Sequence, residues 1–263
     1  MADLLNYDAS QMLGFILVLI RIGGIMLSAP VLGSSNIPPQ AKIAMALGLA
    51  LIVTPFVPRL PAAPNQPAEY VLLIMGELLI GLVLGFLGRI MFAAVEFAGS
   101  LIGLQMGLSM ANVFDPQSQQ QVSLIGQFEN IVATLVFLVL DGHLMLIQAM
   151  IRSYEVLPAG GAQVNKELMQ MMVQLTSGVF SIGFQLGAPL IVSLFLANLI
   201  IALLSRAVPQ IQVFVVGFPL TLMLGFLFLT LGMPFFVQAL RQMFGMLDNQ
   251  LLEAMRVLAL PGS

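Results

Sequence analysis

The chain has 263 residues, of which 59% are hydrophobic and 8% charged, against about 25% charged in ordinary soluble domains. A soluble globule of 28.2 kDa would expose about 11,000 Å², more than nine Lys and Arg with twelve Asp and Glu can keep hydrated, so a soluble enzyme is excluded. A formal charge of -3 without a basic stripe excludes nucleic-acid binding, while the absence of cysteine and the single His143 exclude disulfides, thiol chemistry and a histidine metal centre; no cofactor is expected.

The first eight residues carry two aspartates and no Lys or Arg, unlike a secretory signal, and read as retained. With about 20 apolar residues per bilayer crossing, six hydrophobic helices are predicted, over about 12–29, 43–57, 70–107, 124–150, 171–205 and 212–240. The cluster Gly33 to Pro39 turns the first into the second, its paired prolines able to start a helix but not to sit inside one. Four prolines between Pro58 and Pro67 make an extended break. The third helix is longer than a bilayer needs, and in the sixth Pro219 and Pro234 predict kinks. From 236 to 258, apolar Phe236, Leu240, Met243, Phe244, Leu247, Leu251, Met255 and Leu258 recur at helical spacing among charges, which predicts an amphipathic helix on a membrane or a partner. If all six helices cross, the Lys and Arg bias favours cytoplasmic termini.

Arg21, Glu77, Arg89, Glu96, Glu129 and Asp141 interrupt the apolar runs, and each would cost roughly 3 kcal/mol facing lipid. With His143 and Arg206 they are expected to be buried polar groups, forming pairs that set how subunits fit. A competing reading is a secondary transporter with Glu77, Glu96, Glu129 or Asp141 as coupling carboxylates. A hydrolase using Ser109 or Ser123 with His143 lacks a nucleophile elbow and an oxyanion hole, so His143 reads as a hydrogen-bonded structural residue. Gly99, Gly103 and Gly107 stand four apart, as do Gly81 with Gly85 and Gly183 with Gly187, and each set makes a smooth ridge along which backbones approach closely. The partner is either another subunit or this chain itself.

The stretch 105–123 is polar, with Asp115 its only charge. Irregular polar backbone between hydrophobic helices is buried in protein, lines a watery cavity or reaches solvent. Met106, Met110 and Phe114, four apart, present a soft apolar face. A conduit lined or plugged by this loop and an ordinary exposed connection both fit.

Four groups of residues then carry a resemblance. They are Arg21-Ile22-Gly23-Gly24 with Ala29-Pro30 and Ile37-Pro38-Pro39-Gln40-Ala41-Lys42; Gly103-Leu104-Gln105-Met106-Gly107 leading to Asp115-Pro116; Asp141-Gly142-His143; and Ala188-Pro189 followed by Arg206-Ala207-Val208-Pro209-Gln210-Ile211-Gln212-Val213-Phe214 and Gly217-Phe218-Pro219. In this order, over nearly the whole chain, they resemble the FliR family, the R subunit of the flagellar type III protein export gate; virulence injectisomes hold a homologous subunit. The resemblance implies an all-α polytopic integral membrane protein without enzymatic activity, one membrane-embedded domain over 1–263, with helical hairpins packed into a hetero-oligomeric ring. It implies P and Q subunits as ring partners, A and B subunits of the export apparatus as neighbours, and unfolded flagellar proteins as the cargo. It places the chain in the bacterial inner membrane within the flagellar basal body, in contact with lipid, with the gate core raised toward the periplasm. The family's pore-closing role falls on the loop, with Met106, Met110, Phe114, Asp115, Pro116 and Gln117 as candidate residues, and subunit packing falls on Gly81, Gly85, Gly99, Gly103, Gly107, Gly183 and Gly187.

Overall fold

A computed structural model describes residues 2–34, 37–57, 66–108, 123–161, 165–207 and 213–259, and among them there are helices, turns and no strand. In chain order these are α1 (Ala2–Ser28), α2 (Pro39–Val53) with a single 3-10 turn (Thr54–Phe56), α3 (Pro67–Gln105), α4 (Leu124–Val139), α5 (Gly142–Val156), α6 (Lys166–Ala207), α7 (Val213–Gly245) and α8 (Leu247–Ala259). Pro39 and Pro67 stand at the first positions of their helices, where the missing N–H costs nothing. Five helical stretches are long and apolar enough to cross a membrane, or six if α4 and α5 form one bent crossing. The chain is thus an all-α polytopic membrane protein. Pro189 lies within α6, and Pro219 and Pro234, expected as kinks, lie within an uninterrupted α7.

The stretch expected as one helix over 124–150 is two, bent by 60° at Leu140 and Asp141. Asp141 takes the left-handed conformation, φ 56° and ψ 27°, which Asp tolerates better than most side chains, and Gly142 follows it. The amphipathic stretch expected over 236–258 also breaks, at Met246, and only its second half forms the short helix α8.

Where one domain over 1–263 is expected, internal contacts divide the chain into two compact units. The first holds residues 1–90, 141–176 and 245–263. Its core gathers Leu17, Val18 and Ile22 of α1, Ile80, Leu84 and Leu87 of α3, and Leu146 and Met150 of α5, all essentially without exposure. Helix α8 packs along α5. Its face of Leu247, Leu251, Met255 and Leu258 is fully buried, and the Asn165 amide donates to the Val257 carbonyl at 2.8 Å. That apolar face is covered by the chain itself, where a membrane surface or a partner was the expectation.

The second unit holds residues 91–140 and 177–244. Ile102, Met106, Ile125, Leu190, Ile191, Leu194 and Leu229 form its apolar centre. In the same unit Phe92, Phe137 and Phe244 stack in a triangle with centroids 5.3 to 5.6 Å apart, a spacing that aromatic edges and faces favour.

Candidate functional site

In the first unit, α1 and α3 meet on glycines. A Cβ at Gly81 would fall on the Arg21 carbonyl, and one at Gly85 would meet the Ile25 oxygen at 2.7 Å and the Ala29 nitrogen at 2.8 Å. One turn before Gly81, this approach joins two fully buried charges: Arg21 Nε donates to Glu77 Oε2 at 2.6 Å. Each further nitrogen and oxygen of the pair also makes a hydrogen bond. Arg21 Nη1 donates to Ser153 Oγ at 2.8 Å and Nη2 to the Leu157 carbonyl at 3.2 Å. Glu77 Oε1 accepts from the Gly160 N–H at 3.0 Å, and the guanidinium carbon lies 3.7 Å from the centroid of the Tyr154 ring. A buried pair offsets its desolvation only when its lone pairs and protons are taken up in this way. The cluster therefore ties α1, α3 and the end of α5 together.

In the second unit, the described ends of the central loop are held firmly. Helix α3 stops in a left-handed cap: Gly107, at φ 79°, donates to the Leu104 carbonyl at 3.1 Å, while Leu108 donates to the Gly103 carbonyl at 3.1 Å. Met106, just before this cap, is fully buried against Gly225 of α7, where a Cβ would meet the Met106 side chain at 2.6 Å. The Gln105 carbonyl accepts from Asn198 Nδ2 at 3.0 Å, and Asn198 Oδ1 accepts from Thr221 Oγ1 at 3.0 Å, so α3, α6 and α7 share one short polar chain. On the far side, Ser123 caps α4. Its hydroxyl accepts from the Gly126 N–H and donates to the Gly99 carbonyl, both at 3.1 Å.

The remaining candidates fall in several places. Met110, Phe114, Asp115, Pro116, Gln117 and Ser109 lie outside the described residues. Met106 does not stand free to occlude a pore but belongs to the core, because α7 offers it the space over Gly225. Gly107 does not continue the ridge of Gly99 and Gly103, since it serves as the left-handed stop of the helix. Gly99 faces the backbone of Gly126, Gly103 faces Ser123, Gly183 faces Ala94 and Phe97, and Gly187 faces Ala98. The close approach that these glycines predicted is filled by this chain's own helices.

Of the eight polar groups expected to be buried, Arg21, Glu77 and Glu129 are buried and His143 is half-buried, whereas Arg89, Glu96, Asp141 and Arg206 are exposed. The physical reason is helix phase: Arg89 lies on the side of α3 opposite buried Leu87, Glu96 lies opposite buried Ala94 and Ala98, Asp141 sits on the turn between α4 and α5, and Arg206 sits at the end of α6. Glu129 Oε2 and His143 Nδ1 have no hydrogen-bond partner among the described residues. Glu77 and Asp141 belong to the first unit, Glu96 and Glu129 to the second, and no group of three potential metal ligands occurs among the described residues. Ser123 is committed as a helix cap, and among the described residues its hydroxyl meets only the Gly99 carbonyl and the Gly126 N–H.

Sequence reasoning missed Ser153, Tyr154 and Gly160 around the ion pair, and Asn198 and Thr221 behind the loop. Asn198 left a usable signal. It is the only strongly polar side chain between Leu194 and Leu204, and an amide in such a run needs a partner.

Residues 12–247 match the family described as bacterial export proteins, family 1. The chain is 36% identical over 245 residues to the flagellar biosynthetic protein FliR of Escherichia coli strain K12, covering 92% of each. It is 36% identical over 252 residues to the protein of that name from Bacillus subtilis strain 168, covering 94% of this chain and 95% of the relative. The corresponding protein of Aquifex aeolicus is 31% identical over 214 residues, with 81% and 83% covered.

Proposed function

From the premise that the chain belongs to the bacterial export proteins of family 1, the FliR family, we propose that it is a pore subunit of the flagellar type III export gate. As a member of that family it is a component of the flagellar export apparatus and not an enzyme. In the proposed gate it sits in the bacterial inner membrane within the flagellar basal body, its core raised toward the periplasm. It joins P and Q subunits at the channel entrance, beside the A and B subunits, and unfolded flagellar proteins pass through. Its part in gating is the loop over 105–123, which helps to close the pore at rest.

The observation that carries the loop's role is the framing of its two ends. The cap at Gly107, the Gln105–Asn198–Thr221 chain and the Ser123 cap fix the start and the finish of the segment 109–122 within one packed unit. A plug must open and reclose in register, and a rigid frame around a polar, nearly uncharged segment meets that requirement. Deleting residues between Met110 and Gln121 is expected to make the assembled gate leak ions at rest, read as membrane conductance. Unchanged conductance with normal assembly would contradict the plug.

A further inference from the structure

The second unit holds an open groove of about 750 Å³ between Phe128 of α4 and the C-terminal part of α7, a volume in the range of small-ligand clefts, about 300–1,000 Å³. Along α7 its wall changes character. Leu229 and Met233 are apolar, and the Thr230 hydroxyl beside them donates to the Phe226 carbonyl of its own helix at 2.8 Å, so that donor is already spent. Gln238 and Arg241, one turn apart at the other end, are exposed, and Arg241 makes no ion pair among the described residues. No Asp or Glu lines the groove among the described residues.

Position along the chain gives this polarity a direction. From Val213 to Leu240 α7 carries no charge, and Arg241 is the first that follows. A cation at the end of an apolar span settles at headgroup level, its stem in hydrocarbon and its charge in the polar layer. Leu229 lies twelve residues earlier, about 18 Å back along the helix axis, close to the depth of one leaflet, half of a hydrocarbon core about 30 Å thick. A molecule that fills the groove therefore needs an anionic group at one end and an apolar chain of a leaflet's depth behind it.

We propose that the groove is a binding site for one anionic phospholipid, of the phosphatidylglycerol type. Its phosphate lies on Arg241, whose planar fork suits phosphate oxygens, and Gln238 donates its amide to the same headgroup. One acyl chain runs along Met233 and Leu229 against the Phe128 ring. A zwitterionic lipid would satisfy the guanidinium and the apolar wall, but its ammonium would meet no carboxylate in the groove. The site stands apart from the export-gate reading, because every residue it uses lies in one unit.

The test uses the full chain, alone and in the complex purified from its membranes, in vesicles of mixed phosphatidylglycerol and phosphatidylethanolamine. One lipid at a time carries a photoreactive diazirine in its acyl chain, and the crosslinks are mapped by mass spectrometry. Phosphatidylglycerol is expected to label the groove, at Phe128, Leu229 and Met233, at least about fivefold more than phosphatidylethanolamine, the discrimination that one basic side chain near a membrane surface supports. Arg241→Gln is expected to remove that preference and Arg241→Lys to keep most of it, because the preference rests on charge. Equal labelling by the two lipids, or a preference that survives Arg241→Gln, would overturn the site. So would labelling seen in the chain alone and lost in the complex, which would give the groove to a segment of protein and leave the gate reading intact. Where Arg241→Gln does not accumulate, the comparison of the two lipids on the wild-type chain decides alone.

Discussion

The two sides of α3 treat charge differently. On the inner side, Glu77 meets Arg21 across a glycine crossing, and Ser153, the Leu157 carbonyl, the Gly160 N–H and the Tyr154 ring complete the set within one chain. On the outer side, Arg89 and Glu96 are as deeply set in apolar sequence, yet no ion pair or side-chain hydrogen bond meets them among the described residues. The inner pair belongs to folding. A charge inside a hydrophobic helix therefore does not by itself say where its partner is.

The largest effect that would break this contrast lies at the pair. Arg21→Met strands Glu77 in the core and is expected to cost about 3–5 kcal/mol, seen as loss of accumulation and of thermal stability in detergent. The double substitution Arg21→Met with Glu77→Leu is expected to be less damaging than Arg21→Met alone, and an equal or greater loss would show that the pair is not coupled. Next comes the crossing that permits the pair. Gly85→Val drives a branched side chain into the backbone of Ile25 and Ala29 and is expected to cost about 1–3 kcal/mol, measurable as a lower Tm. Ser123→Ala removes the cap of α4 and its link to Gly99, for about 1 kcal/mol and faster amide exchange in the first turn of α4. The smallest effect sharpens the contrast most. Arg89→Gln is expected to change the stability of the isolated chain by less than about 0.5 kcal/mol, read as an almost unchanged Tm.

Much of the fold was legible from hydropathy, because in a membrane protein each long apolar run must satisfy its backbone as a helix. The long third helix, the turn before Pro39 and the close approaches at Gly81, Gly85 and Gly99 follow directly from residue types. Two breaks did not. Leu140-Asp141-Gly142 sits in a run too apolar to suggest a turn, although the Asp-Gly pair was the available signal. The periodic stretch over 236–258 hides its break at Met246 because apolar residues keep helical spacing on both sides of it. The candidate site was less legible. Hydrophobic spacing places Met106 on an apolar face without saying which neighbour takes it, and only the space over Gly225 decides that. Glycine at Gly107 reads alike as a packing ridge or a helix stop until the hydrogen bonds of the last turn are seen. The burial expected for Arg89 and Glu96 rested on cost alone, which is silent about whether the cover comes from the same chain.

The central claim is that this chain completes itself only within the export gate. Its most direct test is the native mass of the wild-type chain, purified through a terminal tag from its own membranes in mild detergent, with every companion identified. One large, defined complex containing small polytopic subunits of the P and Q type is expected. A lone monomer or a homodimer, folded and stable, would contradict it.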